Sequence, residues 1–249
     1  MSAPTRKPAG SLAGAHGSET PAPRHGLPRA ADVALAAIGL VLASPLLALA
    51  AVAIKVTSRG PVIYRQRRVG RGGEEFELWK LRTMREGADP VGVGTAVVRG
   101  DPRVTAVGRV LRRFSLDELP NLVNVIRGEM AIVGPRATLP AQVALYTPRQ
   151  RRRLELKPGV TGWAQIHGGV EIPWEERIEL DVWYAEHRSL ALDLRIIALT
   201  PVVMLTGRGR AAPDPYAGAS PDSPLRRAAE HEAASEAARS AERESRGEH

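Results

Sequence analysis

Residues 33–54, bounded by Asp32 and Lys55, form a run of twenty-two without one charged side chain. As a single helix at 1.5 Å per residue it reaches roughly 33 Å, enough to cross a hydrocarbon core of about 30 Å. Three arrangements accommodate such a run: a cleaved export signal, a spanning helix, and a hairpin that enters and leaves on one side. The export signal is disfavoured. Ala48-Leu49-Ala50 resembles a cleavage site, but the run begins well inside the chain and no cysteine follows it. Two features separate the other two. Pro45 follows Ser44 near the middle, where proline removes a backbone donor and costs about 3 kcal/mol or a kink. In lipid the carbonyl it frees needs a partner, and the Ser44 hydroxyl can be that partner. Positive charge also flanks both ends, Arg24 and Arg29 before the run, Lys55, Arg59, Arg65, Arg67, Arg68 and Arg71 after it. A spanning helix places one of those sets on the wrong side of the membrane. A re-entrant helix broken at Ser44-Pro45, with both ends on the cytoplasmic side, satisfies the rule and is the expectation.

The chain has 249 residues, 43% hydrophobic and 25% charged, which excludes global disorder. It has no cysteine, so disulfides, thiolate zinc sites and a cysteine nucleophile are excluded. The net charge of +8 calls for an anionic partner: a phosphate-bearing substrate, acidic headgroups or nucleic acid. Aromatic content of 4% speaks against a base-stacking single-strand binder. Residues 1–31 carry a net +3 and residues 211–249 a net −3, so the basic excess lies between them. Four regions follow: a disordered lead at 1–31, the membrane helix at 32–56, a mixed α/β (α+β) unit at 57–207, and a disordered or frayed-helical tail at 208–249.

Within that unit, 62–67 and 76–82 read as strands around the turn Gly70-Arg71-Gly72-Gly73. Residues 104–113, 116–126, 141–154 and 174–185 read as helices, 131–133 as a short buried run, and 160–166 as a strand. The stretch 190–205 is apolar but broken by Asp193, Arg195 and Pro201, and reads as an amphipathic helix on the membrane surface.

The stretch with most chemistry is Arg112-Arg113-Phe114-Ser115-Leu116-Asp117-Glu118-Leu119-Pro120-Asn121. Ser115 followed three residues later by Glu118 has the form of a capping box, which starts a helix and puts Asp117 in its first turn. That alone accounts for both carboxylates. The alternative is a phosphoryl-transfer site: a carboxylate at a helix start keeps a low pKa, as a nucleophile or metal ligand requires, and arginines nearby hold phosphate. Spacing leaves both readings open.

The chain resembles the bacterial sugar transferase family, the monotopic polyprenyl-phosphate phosphoglycosyl transferases. The resemblance runs from about Arg29 to Gly207. It is carried by Ser44-Pro45, Ser58-Arg59-Gly60-Pro61-Val62, Arg65-Gln66-Arg67-Arg68-Val69-Gly70, Trp79-Lys80-Leu81-Arg82-Thr83-Met84 and Asp101-Pro102-Arg103. It continues through Ser115-Leu116-Asp117-Glu118-Leu119-Pro120, Val133-Gly134-Pro135-Arg136, Lys157-Pro158-Gly159-Val160-Thr161-Gly162 and Asp181-Val182-Trp183-Tyr184. It implies a catalytic Asp117–Glu118 dyad. Asp117 attacks the β-phosphate of a UDP-sugar, UMP leaves, and polyprenyl (undecaprenyl) phosphate takes the sugar phosphate from the aspartate. It implies Mg²⁺ on Glu118, phosphate contacts from Arg112, and a place at the bacterial inner membrane with the catalytic unit on the cytoplasmic face. The step it implies is the first membrane step of exopolysaccharide, capsule or O-antigen type synthesis.

Lys80 and Arg82 alternate on a strand and share a face, Arg136 follows a strand end, and Arg67 lies among membrane-proximal bases; all four are candidate phosphate contacts. Arg149 to Arg153 read as a solvated helix end, and His167 as structural. The chain departs from the family pattern at Ala137, at His167-Gly168-Gly169, where Arg177 is a candidate to compensate, and at His187-Arg188. The partners expected are the UDP-sugar, the polyprenyl phosphate and membrane lipid, without nucleic acid; a homodimer is left open. The rival reading is a membrane-tethered basic protein that binds nucleic acid or acidic partners without chemistry.

Overall fold

A computed structural model describes residues 25–88 and 101–206, with Arg227 alone beyond them. Its first element, α1 (Arg29–Thr57), is one helix of 29 residues. The helix does not break at Ser44-Pro45. Proline at 45 leaves the Val41 carbonyl without its helical donor, and the Ser44 hydroxyl donates to that carbonyl at 2.7 Å. The gap in the ladder is filled from within, so the expected interruption is absent. Both ends of α1 rest on the same domain. Ala36 and Leu40 pack with Leu78, Leu122, Val125 and Met130, whereas Ala50 and Ile54 pack with Leu81 and Leu111. The opposite face is apolar and bare, with Leu42 76% and Val56 80% exposed.

Strands β1 (Ile63–Val69) and β2 (Glu75–Leu81) form the expected antiparallel hairpin, in which Tyr64 faces Lys80 and Arg68 faces Phe76. Gly72 and Gly73 take positive φ, 69° and 89°, which is the reason the turn is glycine-rich. Helix α2 (Ala106–Arg113) follows, capped by Thr105, whose side chain accepts the Gly108 N–H at 2.9 Å. Gly108 lies directly on the backbone of Thr83, where a Cβ would overlap the Thr83 carbonyl.

The helix expected over 116–126 is two pieces, a 3-10 turn at Leu116–Glu118 and α3 (Asn121–Arg127), with Pro120 at the junction. The capping box does not form. Ser115 is left-handed (φ 52°) and its side chain caps nothing. Strand β3 (Ala131–Val133) pairs in parallel with β4 (Gly159–Thr161). The glycines of the two motifs explain the closeness: a Cβ on Gly134, Gly159 or Gly162 would run into the facing backbone.

The helix expected over 141–154 is broken by Pro148 into α4 (Pro140–Ala144), α5 (Pro148–Arg151) and a 3-10 turn at Arg152–Glu155. The strand expected over 160–166 stops at Thr161 and gives way to α6 (Trp163–Ile166). Helices α7 (Trp174–His187) and α8 (Leu190–Thr206) close the described chain. Asp193 on α8 is fully buried; it accepts from Tyr184 Oη at 2.5 Å and from the Leu27 N–H at 2.7 Å, tying the approach to α1 onto α7 and α8. Ile196 is buried while Leu194, Val202 and Leu205 are exposed. The architecture is therefore mixed helix and strand with one long apolar N-terminal helix. Of the lead expected over 1–31, residues 1–24 lie outside the described residues and α1 already begins at Arg29; of the tail expected over 208–249, Arg227 alone is described.

Candidate active site

The left-handed Ser115 turns the chain so that Leu116–Glu118 lies across the end of the hairpin, and this, rather than a helix cap, presents the two carboxylates. Glu118 Oε1 accepts two charged donors: Lys80 Nζ of β2 at 2.8 Å and Arg136 Nη2, from the loop after β3, at 2.7 Å. The Glu118 and Lys80 side chains are 19% and 16% exposed; that of Arg136 is 44% exposed. A small cavity adjoins this junction, lined by Arg68, Leu78, Lys80, Met130, Arg136 and Val160 among others. Three cations, Arg68, Lys80 and Arg136, meet the apolar Leu78, Met130 and Val160 in this lining, with the Glu118 carboxylate among them.

The two carboxylates are electrostatic opposites. Burial pushes the Glu118 carboxyl up, but the charges and hydrogen bonds of Arg136 and Lys80 outweigh it and hold Glu118 far below the usual carboxylate range. Asp117 is buried, accepts no hydrogen bond from any described residue, and is pushed above the usual range by burial and by the charge of Glu118. Lys80, Arg112 and Arg136 oppose that rise without cancelling it. The low pKa expected for Asp117 is thus corrected: a 3-10 turn of three residues supplies little dipole, and desolvation next to a like charge wins. Arg112 stands on the Asp117 side, its Nε donating to Thr83 Oγ1 at 2.7 Å.

Of the sequence candidates, the structure brings together Asp117, Glu118, Lys80, Arg136 and Arg112. Arg82 goes elsewhere. It is buried under the end of α1, where Nη2 donates to the Ser58 carbonyl (2.9 Å) and hydroxyl (2.8 Å), while Nε and Nη1 have no partner among the described residues. Arg67 points away as well; its side chain is 81% exposed and its nearest acid, Glu75, is 3.9 Å off. Its neighbour Arg68 is the β1 residue on the cavity, donating to Gln66 and to the Ala137 carbonyl. Burial and the nearby Arg136 bring the Arg68 guanidinium down to about 10. Ser44 and Pro45 lie in the exposed middle of α1. Arg149 and Arg152 sit in surface ion pairs with Glu179 and Glu186, as a solvated helix end does, but Arg153 is buried against Asp181. His167 Nδ1 pairs with the Trp163 carbonyl at 2.8 Å and its ring lies on Trp163, a structural use.

Among the described residues no group of three or more His, Asp or Glu side chains is arranged to hold a metal. Mg²⁺ needs less than that from protein, one or two carboxylates completed by phosphate and water. Glu118 Oε2, which accepts from no described residue while Oε1 holds two cations, and the Asp117 carboxylate meet that requirement.

The model of a family described as bacterial sugar transferase matches residues 24–207. An uncharacterised sugar transferase, EpsL of Bacillus subtilis, is 44% identical over 164 residues, covering 66% of this chain and 79% of its own. A UDP-glucose:undecaprenyl-phosphate glucose-1-phosphate transferase of Caulobacter vibrioides is 45% identical over 186 residues, 72% of this chain and 69% of its own. A UDP-N-acetylgalactosamine-undecaprenyl-phosphate N-acetylgalactosaminephosphotransferase of Aeromonas hydrophila is 38% identical over 200 residues, 78% of this chain and 47% of its own.

Proposed function

The chain belongs to the bacterial sugar transferase family, and from that membership and the geometry at Asp117 and Glu118 we propose that it transfers a sugar 1-phosphate from a UDP-sugar to undecaprenyl phosphate. The observation that carries this reading is the asymmetry of the two adjacent carboxylates. One is locked by two cations, and the other is buried and accepts no hydrogen bond from any described residue, a group whose charge is poorly solvated and available for attack.

In the first half-reaction an Asp117 oxygen bonds to the β-phosphorus of the donor as the bond to the α-phosphate oxygen breaks. UMP departs and the sugar phosphate stays as an ester of Asp117. In the second, a phosphate oxygen of the lipid bonds to that phosphorus and the Asp117 carboxylate is released; no proton is consumed overall. Arg112, Lys80, Arg136 and Arg68 hold and neutralise the phosphate oxygens as charge shifts between them. Glu118 would hold Mg²⁺ together with the substrate phosphates, and the ion would supply further neutralisation there. One carboxylate serving both halves makes the kinetics ping-pong. Family relatives are named for glucose and for N-acetylgalactosamine phosphates; the donor panel below decides the sugar. A binding protein without chemistry, the rival reading, has no use for this asymmetry.

The placement at the membrane rests on α1, whose apolar run is 11% buried. Asp32 near its start accepts the Ile132 N–H at 2.9 Å, and Ser58 just past its end is held by Arg82. With both ends bound to one domain, a helix crossing the bilayer would have to draw part of that domain through it. We therefore place both ends of α1 on the cytoplasmic face, with its bare face in lipid. Cysteines introduced at 20 and 73 should label from the same side; labelling from opposite sides overturns the topology.

The experiment for the reaction is UMP release by the detergent-solubilised protein from a panel of UDP-sugars, with undecaprenyl phosphate and Mg²⁺. Release with one donor, lost in Asp117→Asn and on adding EDTA, is the expected result. Folded protein that releases UMP from none of the donors refutes the reading.

A further inference from the structure

Arg136 is the one cation on Glu118 that comes from irregular backbone, between the end of β3 and α4. No ladder fixes such a segment, yet its carbonyls are held one after another by different elements. The Pro135 carbonyl accepts the Gly159 N–H at 2.9 Å, that of Ala137 accepts Arg68 Nη1 at 3.2 Å, and that of Thr138 accepts the Val69 N–H at 2.8 Å. The Arg136 carbonyl itself accepts Arg153 Nη2 at 2.9 Å.

Arg153 is 3% exposed and its ion partner, Asp181 of α7, 2% exposed. The same guanidinium also donates to Asp181 Oδ2 and to Tyr146 Oη; burial pushes the Asp181 carboxyl above its usual range, against the opposing pull of Arg153 and of the facing Arg136 amide. A buried ion pair is no evidence of stability, because its desolvation cost rivals its attraction, so one that reaches a site residue invites another explanation. Here the planar fork of arginine spans what a lysine cannot, a carboxylate, a phenol and a backbone carbonyl at once.

We propose that the buried Arg153–Asp181 pair is a positioning element for Arg136, holding the backbone that aims its guanidinium at Glu118 and the donor phosphates. The proposal rests on the sugar-phosphate transferase reading for the role of Arg136. It assigns to Asp181, 45 residues away in sequence, an effect on phosphoryl transfer without contact with substrate. It also gives α7 two functions, since Asp181 grips the site loop while Tyr184, one turn on, grips Asp193 and the approach to α1.

Removing one partner alone leaves a buried charge unpaired and endangers folding, so the test uses the double variant Arg153→Met/Asp181→Leu, in which the pair gives way to apolar groups. Two quantities are read on the detergent-solubilised full chain: steady-state UMP release, and the rate at which phenylglyoxal modifies Arg136, followed by peptide mass spectrometry. The expected result is a fall in kcat of about 10- to 100-fold, much smaller changes in KM for donor and lipid, and faster modification of Arg136. Arg153→Lys, which keeps the charges and loses the fork, should fall between. Tyr146→Phe, which keeps the pair and removes one hydrogen bond, gives a smaller change of the same sign and serves if the double variant does not fold. Modification of Arg136 at the wild-type rate in the folded double variant, or in Tyr146→Phe when that is the variant measured, overturns the proposal whatever its activity. Wild-type protein that shields Arg136 yet releases no UMP from any donor refutes the transferase reading and leaves the positioning standing.

Discussion

Glu118→Gln and Asp117→Asn change neighbouring carboxylates to their amides, and the structure gives them opposite effects on stability. Glu118 Oε1 takes Lys80 at 2.8 Å and Arg136 at 2.7 Å. A hydrogen bond between charged groups contributes about 1.5–3 kcal/mol, which applies to the shielded Lys80 contact. The Arg136 side chain is 44% exposed, so solvent screening reduces its share to about 0.5–1 kcal/mol. Glu118→Gln therefore loses about 2–4 kcal/mol, a fall in Tm of roughly 5–15 °C for a domain of this size. Asp117 carries the reverse sign. Its ionised form is disfavoured by burial and by Glu118, so a neutral isostere removes a penalty, and Asp117→Asn melts at or above the wild-type temperature at pH 7.5. The pH dependence follows from linkage. The folded-state pKa of Glu118 is depressed, so its contribution is full above the unfolded value near 4.5 and disappears as pH falls below it. The folded-state pKa of Asp117 is raised, so its penalty is absent below the unfolded value near 3.8 and grows as pH rises through the folded value. Thermal shift in detergent across pH 4–8, the three proteins side by side, reads the two Tm differences and the growth of the Asp117 penalty, while the Glu118 loss begins only at the acid end of that range. Equal losses in the two variants, or an unchanged Tm in Glu118→Gln, refute the assignment of roles. Activity does not distinguish them, because both variants should lose UMP release.

Asp117 must be ionised to attack, and its raised pKa places the acid limb of kcat/KM above the ordinary aspartate value of 3.8; a profile flat down to pH 4 refutes this. Arg68 lines the cavity and Arg67 does not, so Arg68→Met should lower kcat/KM about 10- to 100-fold, the equivalent of one charged hydrogen bond. Arg67→Met should stay within about twofold of wild type, as a surface substitution does. Gly108→Ala drives a Cβ into the Thr83 carbonyl, and because Thr83 Oγ1 holds Arg112, it should lower Tm and UMP release together. A Gly108→Ala protein with normal melting and rate shows that the α2 contact is looser than described.

The hairpin, the buried run 131–133, α2, α7 and the apolar α1 were all legible, because each depends on a local pattern of period 2 or 3.6 or on a glycine turn. The failures occur where a local pattern competes with a distant contact. Ser115-Leu116-Asp117-Glu118 has every residue of a capping box, yet Glu118 is drawn away by Lys80 and Arg136, and Ser115 is left-handed instead of capping. Pro120 and Pro148 were the signals that divide the two overlong helices. Arg153 and Asp181 had no local signal; buried charges of opposite sign find each other only in the folded chain. The choice between Arg67 and Arg68 is different, because the information was present. Lys80 lies opposite Tyr64 in the hairpin, and side chains alternate, so Tyr64, Gln66 and Arg68 share the Lys80 face while Arg65 and Arg67 take the other. Only the register is needed, and it is set by the turn at Gly70-Arg71-Gly72-Gly73: one residue inserted or removed there would exchange Arg67 for Arg68 at the cavity. The glycines that shape this turn thus decide, without touching substrate, which arginine the site receives.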